Sequence, residues 1–406
     1  MPRRRFPDEP QSADAVIRVF SKNVKVFLNL LAATAGGQLS RARAFLDRFS
    51  DFAPTAQLIV VKEKTVLTDY ASTERRVLID VSVGYGALKV PRRMWWENFV
   101  MPGVIRGHAA DVYLTFSHYL PHLHDEAVPS VVGVSNLAPF SKEAWSQESL
   151  LVKVKMAALR KTILSSARRA SCVLALSETC RDVLIACGIP GEKIVVAPNG
   201  VDAYWGQPSS PMGLLTQLGI DRPFMLYVSH FYRYKNHARL IEAYARLPAV
   251  LRGAHQLLLI GKPYSNSCYD ETQQLIERLG LSGEVFLVPG ESGDRLRELY
   301  QKAKLFVFPS LIENSPNILL EAMMAGSPIA ASNLAPMPEF CADAAEYFDG
   351  LDVSDMSGKL EGLLNDSGRR SDLSERSHIQ ARKYTWDEFV RRVVLHVESA
   401  VGQKRR

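Results

Sequence analysis

Short apolar runs alternate with stretches of helical apolar spacing along almost the whole chain, and few folds accommodate that rhythm. In the first half the runs fall at residues 24–31, 57–61, 77–81, 112–115, 131–134, 172–175 and 194–197, with a helical pattern at 38–49 after the first. Strands separated by helix-length connections pair in parallel, because a parallel pair needs a crossover. The rhythm falters over 203–222, where Pro208, Pro211, Gly213 and Gly219 lie among polar residues. It restarts with strands expected at 224–228, 256–260, 285–288, 305–308 and 329–331, and helices at 237–247, 294–302 and 316–325. The expected fold is α/β, two doubly wound domains facing across a cleft. The expected boundaries are an irregular extension at 1–21, an N-terminal domain at 22–202, a linker at 203–222 and a C-terminal domain at 223–385. Such sheets bind ligands outside the carboxyl ends of their strands.

Composition narrows the partners. A chain of 406 residues, 47% hydrophobic and 23% charged, is an ordinary globular protein of two to three domains. Its net charge of +6 suits an anionic ligand or a membrane surface. No zinc finger, ribonucleoprotein motif or heptad series is present, so nucleic acid is not an expected partner. Cys172, Cys180, Cys187, Cys268 and Cys341 are odd in number and form no CxxC, which favours a reducing compartment and a cytoplasmic location. MPRRR followed by VKVFLNLLAATA has the outline of a signal peptide, but Asp8, Glu9 and Asp14 interrupt the basic leader and the apolar run ends in a Gly-Gly loop. It reads better as a first strand and turn. No later run approaches the ~20 apolar residues that span a bilayer.

The segment FVFPSLIENSPNILLEAMMAGSPIAASN carries the sharpest chemistry. A strand leads into a loop holding Glu313; Ser315 reads as an N-cap and Pro316 as the first helical residue, with Gly326 and Pro328 closing the helix. Free amides at Asn317 and Ile318 and the positive helix end suit a phosphate group. Glu321 on the second turn is tilted back toward that end. Its neighbours Leu319, Leu320, Ala322 and Met323 are apolar, where a carboxylate without a partner is costly. At the amino end, Gly36-Gly37 follows a strand and opens a helix, so backbone amides can approach an anion or sugar; a plain tight turn has the same sequence. His118, His122 and His124 invite a metal reading, yet Pro121 breaks helical presentation and no Cys/His partner set lies nearby. No Asp-x-Asp pair occurs anywhere.

YVSHFYRYKNHARLIEAY, ENSPNILLEAMMAGSPIAASNLAPMPE, ASCVLALSETCRDVLI and VVAPNGVD together resemble glycosyltransferase family 4, the retaining nucleotide-sugar-dependent transferases of GT-B fold. The resemblance covers most of residues 24–390. It implies two Rossmann-like domains and places Glu321 on the nucleotide ribose and Glu313 near the transferred sugar. Lys235 matches one member of the basic pair that grips the diphosphate. The other member is usually an arginine; here His230 stands in its place, with Ser229 where a glycine is usual. Either His230 is charged beside the phosphates, or Arg233 substitutes, or catalysis is weakened, because a neutral imidazole offers one hydrogen bond where a guanidinium offers a fork. Ser315, Asn317, Ile318 and Gly290 are further expected donor contacts, and the resemblance implies that the turn at Gly36 and Gly37, also expected on the donor side, contacts the donor or the acceptor. Many members carry a histidine where Ser135 stands, followed here by Asn136; with His118 these form the expected acceptor side. No cofactor and no metal is expected, with Lys235 and the helix N-terminus neutralising the leaving group.

The implied function is transfer of a sugar, with retention, from a nucleotide-diphosphate sugar to a hydroxyl of a glycan or lipid-linked glycan in polysaccharide assembly. The alternatives are an epimerase or phosphorylase of the same fold, or a degenerate nucleotide-sugar-binding scaffold subunit. Arg92-Arg93-Met94-Trp95-Trp96 and LLVKVKMAALRKTILSSARRA mix cations with apolar residues and suit an anionic membrane surface, hence a peripheral site on the inner face; ordinary amphipathic helices look much the same. YTWDEFVRRVVLHVES resembles the family's terminal helix, which at 386–402 would cross back to the N-terminal domain.

Overall fold

A computed structural model describes residues 23–404 apart from 85, 211–212, 264–265 and 292. The expected extension at 1–21 and Pro211 of the expected linker lie outside the described residues.

Two parallel sheets form where the apolar runs stand. The first takes β1 (Lys25–Asn29), β2 (Gln57–Glu63), β3 (Arg76–Val81), β4 (Val112–Thr115), β5 (Ser130–Val134), β6 (Cys172–Ala175) and β7 (Ile194–Val196), in spatial order β3-β2-β1-β4-β5-β6-β7. The second takes β8 (Phe224–Val228), β9 (Gln256–Ile260), β10 (Val285–Val288), β11 (Leu305–Phe308), β12 (Ile329–Ser332) and β13 (Ala345–Phe348), in order β10-β9-β8-β11-β12-β13. Central strands are buried on both faces, which is why they read as unbroken apolar runs. The strand β13 was absent from the sequence expectation. It lies at a sheet edge, and its Glu346 faces Lys359 and Arg369 instead of the core, so its sequence lacks an apolar run.

Each sheet changes winding direction beside its first strand, between β1 and β4 and between β8 and β11. The loops leaving those four strands meet in the cleft, as the switch-point rule requires.

The last helix, Trp386–Lys404, packs on the N-terminal sheet, the crossing that the family resemblance implied. Trp386, Phe389, Val390, Val393, Val394 and Val397 join the core formed by Phe45, Leu114 and Phe116. The Phe389 and Phe116 rings lie 5.7 Å apart, and Arg392 donates to the Val196 carbonyl at 3.1 Å. Gly200 allows this crossing, since a Cβ there would overlap the backbone of Thr385 and Trp386. Losing one of these buried valines to alanine would cost roughly 1–3 kcal/mol and loosen the tie between the halves.

Candidate active site

The loop after β11 is pinned on both sides. Asn314, 6% exposed, donates to the Val134 carbonyl at 2.7 Å and accepts from Ser177 Oγ at 3.1 Å, both in the N-terminal domain. Ser315 does not cap the following helix. Pro316 occupies the N-cap position, the helix runs Asn317–Met324, and Ser315 Oγ instead accepts from the Asn199 backbone N–H at 3.0 Å. Asn199 Nδ2 also donates to Asn317 Oδ1 at 2.6 Å. A side chain expected to serve its own helix is thus used to join the domains.

Glu313 and Lys235 meet at 2.5 Å, and neither side chain is more than 16% exposed. Burial works against the ammonium, but the adjoining Glu313 carboxylate outweighs it and raises the Lys235 pKa. The turn presenting Lys235 is fixed by Asn236, a left-handed residue (φ +66°) whose amide donates to the Pro309 and Gly350 carbonyls at 3.1 and 2.7 Å. Asparagine tolerates this conformation and its side chain replaces missing backbone partners. The only signal of this role in the sequence is an asparagine just ahead of a helix start.

Two cavities flank this pair. One, of about 340 Å³, is lined by Ser229, His230, Lys235, Lys262, Gly290, Glu313, Ser315, Asn317, Ile318 and Glu321, with Gly36 and Gly37 from the other domain. The second, of about 500 Å³, is lined by His118, Ser135 and Asn136, together with Arg41, Asn199 and Tyr234. Gly37, Glu313 and Ser315 border both. The first helix (Gly36–Phe52) and the helix Asn317–Met324 start face to face: a Cβ on Gly37 would lie 3.4 Å from Asn317 Nδ2.

Glu321 sits at the back of the smaller cavity, where burial pushes its pKa up to about 8 and a 3.3 Å hydrogen bond from the Tyr300 hydroxyl works against that rise. Burial, and then Lys235 and Lys262, lower the His230 pKa and so favour the neutral imidazole. Of the three alternatives for the second cation, a charged His230 is therefore disfavoured. Arg233 is not brought to the cavity either; it pairs with Glu271 at 2.5 Å and lines a separate depression beside Arg239 and Arg278. The second cation lining the cavity is Lys262, which follows β9. Gly261 lets it in, because a Cβ there would overlap the Ser229 carbonyl. Only its place after a strand could have signalled Lys262 in the sequence.

His118, His122 and His124 do not converge. His118 lines the larger cavity and burial, with Arg93, lowers its pKa to about 4. His124 bonds the Val128 carbonyl at 2.8 Å, while His122 is exposed. Among the described residues no group of three His, Cys, Asp or Glu could hold a metal ion. All five cysteines are free thiols, four of them buried.

Two Rossmann-like domains face across a cleft lined by Glu313, Glu321 and the start of the helix Asn317–Met324, the architecture of a GT-B glycosyltransferase. Residues 56–204 match the family described as Glycosyltransferase Family 4, and residues 216–380 match Glycosyl transferases group 1. The chain belongs to glycosyltransferase family 4. It is 27% identical over 302 residues to the O-antigen chain mannosyltransferase B of Escherichia coli, covering 73% of this chain and 74% of that protein. It is also 27% identical over 254 residues to the serotype-specific mannosyltransferase WbdA of Escherichia coli, covering 59% of this chain but only 31% of the relative. Among solved structures, sucrose-phosphate synthase from Thermosynechococcus elongatus superposes with a TM-score of 0.72 over 91% of this chain and 96% of its own, at 16% identity. These transferase relatives do not favour the epimerase, phosphorylase or scaffold alternatives.

Proposed function

We propose that this protein transfers a mannosyl residue, with retention of configuration, from a nucleotide-diphosphate donor to a hydroxyl of a growing polysaccharide of the O-antigen type. The mannose and the polysaccharide rest on what the relatives are named for. The observation that carries the mechanism is the position of the Glu313–Lys235 pair on the border of two cavities, one suited to a nucleotide and one to an acceptor.

The diphosphate lies between Lys235, Lys262 and the amides that open the helix Asn317–Met324, and Glu321 takes the ribose hydroxyls. Ser229, His230, Gly290, Ile318, Gly36 and Gly37 shape the rest of the donor site, with His230 as a neutral donor or acceptor. Charge grows on the diphosphate as its bond to the anomeric carbon breaks, and a fixed ammonium stabilises that state more than the ground state. Glu313 stands beside the sugar, where it supports positive charge at the anomeric carbon and releases Lys235 to the phosphate. The acceptor cavity reaches the donor cavity at Gly37 and Ser315, beside the same helix ends that hold the phosphates. An acceptor hydroxyl therefore arrives on the face from which the diphosphate leaves, and its proton passes to the departing phosphate oxygen as the new bond forms. That front-side geometry gives retention. Ser135, Asn136 and His118 orient the acceptor.

A lipid-linked acceptor and a peripheral place on the cytoplasmic face of a membrane belong to the same proposal. Trp95, Phe99, Leu150, Leu151 and Val154 are all more than half exposed beside Arg92, Lys153 and Lys155, an arrangement that suits an anionic bilayer surface. No described helix is long and apolar enough to cross a membrane.

A thermal-shift panel of nucleoside diphosphates and nucleotide-sugars tests the reading, because a ligand of the folded state raises its melting temperature. The anomeric configuration of the product formed with the stabilising donor then decides retention. An inverted product, or no stabilisation by any nucleotide, overturns it.

A further inference from the structure

Arg41, on the second turn of the helix Gly36–Phe52, is 3% exposed yet lines the acceptor-side cavity. Its Nε donates to Asn199 Oδ1 at 2.8 Å. Among the described residues, Nη1 and Nη2 donate no hydrogen bond and no carboxylate pairs with the guanidinium. A guanidinium brings five N–H donors, and this one uses a single donor inside the protein. An unpaired buried charge costs several kcal/mol, a penalty a structural joint could avoid with a neutral glutamine.

The described surroundings supply no counter-ion. Glu313 is the one carboxylate among the residues lining this cavity, and Lys235 already holds it. His118 is neutral, with a ring nitrogen, Nδ1, that is buried without a hydrogen-bond partner. The helix that carries Arg41 begins at the same wall, with Ala35 offering no side-chain cap and no acidic residue in the first turn. Lys89 reaches Thr34 Oγ1, at the edge of the cavity, at 3.3 Å. An uncapped helix end, a buried guanidinium and a nearby ammonium all bias the same wall toward negative charge.

We infer that the acceptor-side cavity contains an anion subsite centred on Arg41, and that the accepting sugar carries a phosphate or a carboxylate group there. Planar, forked donors suit either oxyanion, and two free Nη groups are what a bidentate contact needs. Asn199 orients the guanidinium and also touches Ser315 and Asn317, so filling the subsite is coupled to the loop that carries Glu313. An acceptor that fills the subsite therefore helps align the reacting groups. The inference rests on the donor and acceptor assignment proposed above.

Binding of mannose 6-phosphate, glucuronate and methyl mannoside to the protein saturated with its stabilising nucleoside diphosphate tests this by calorimetry, the first two probing the phosphate and carboxylate sources separately. At least one anionic sugar is expected to bind about tenfold or more tightly than the neutral one. Arg41→Met is expected to abolish that preference while nucleotide affinity stays within about twofold; Arg41→Lys is expected to keep part of it. Equal binding of all three sugars to the wild-type protein overturns the inference, and this comparison decides alone if Arg41→Met does not fold. A loss of nucleotide affinity in Arg41→Met with sugar preference unchanged also overturns it, by placing Arg41 in the donor site. Failure of every nucleoside diphosphate to bind removes the donor reading instead, and the sugar comparison, made without nucleotide, still decides on Arg41.

Discussion

The two cavities that meet at Glu313 are built on opposite plans. The donor side draws most of its chemistry from two short stretches, 229–235 and 313–321, with the Lys235 ammonium paired to Glu313 and the buried Glu321 carboxyl accepting from the Tyr300 hydroxyl. The acceptor side gathers residues from after β1, β4, β5 and β7, and it leaves Arg41 and His118 with unused polar groups. On the proposed assignment, a nucleotide is held by a compact local motif, whereas the acceptor is met by side chains that only the folded sheet assembles.

Breaking the donor side at its charge pair should have the largest effect. Lys235→Ala leaves Glu313 partly buried and unpaired and removes a preorganised cation, so turnover should fall roughly a hundredfold or more. Initial rates with a saturating nucleotide-sugar measure it, and near-normal turnover would reassign the phosphate contact to Lys262.

The loop anchor separates the two sides next. Asn314→Ala removes the tie to Val134 and Ser177 without touching the nucleotide cavity. Turnover should drop roughly tenfold, by loss of one or two buried hydrogen bonds, while nucleotide affinity holds. Calorimetry beside steady-state kinetics distinguishes this from general unfolding, which would lower both.

Glu321 gives a smaller effect with a sign that depends on pH. In the folded protein its carboxyl holds a proton up to about pH 8, whereas the unfolded chain releases it near 4.5. The native state therefore binds more protons between those values, and stability falls as pH rises through that window. Glu321→Gln removes the fall: it should melt a few degrees above wild type near pH 8 and together with it near pH 4.5. Nucleotide affinity should behave oppositely, with the wild type tightening from about pH 6.5 to about 8.5 as the carboxylate forms and accepts the ribose hydroxyls, and the variant staying flat and roughly tenfold weaker at the upper end. A pH-independent difference would place the ribose elsewhere.

Arg233→Ala should change least. Its ion pair with Glu271 is more than a third exposed on both sides and lies outside both cavities, and such pairs contribute about 0–1 kcal/mol. A large fall in turnover would show that Arg233 swings into the cleft when donor binds.

Local patterns in the sequence determined the two parallel sheets and the placing of Glu313 and Glu321 around one helix start, because apolar runs and helix-opening motifs have local causes; the return of the last helix and the place of Lys235 in the same site came from the family resemblance. The sequence did not reveal β13, whose exposed edge needs no apolar run, or the use of Ser315 as a partner for Asn199 in place of a helix cap. It also left the second cation open among His230, Arg233 and neither. Only the tertiary structure decided that Lys262 enters the donor cavity, that Arg233 turns away, and that Arg41 lies buried against the acceptor space. The physical reason is that a side chain's charge state and partners depend on what the loops of distant strands bring beside it, and those neighbours are separated by up to a few hundred residues of chain.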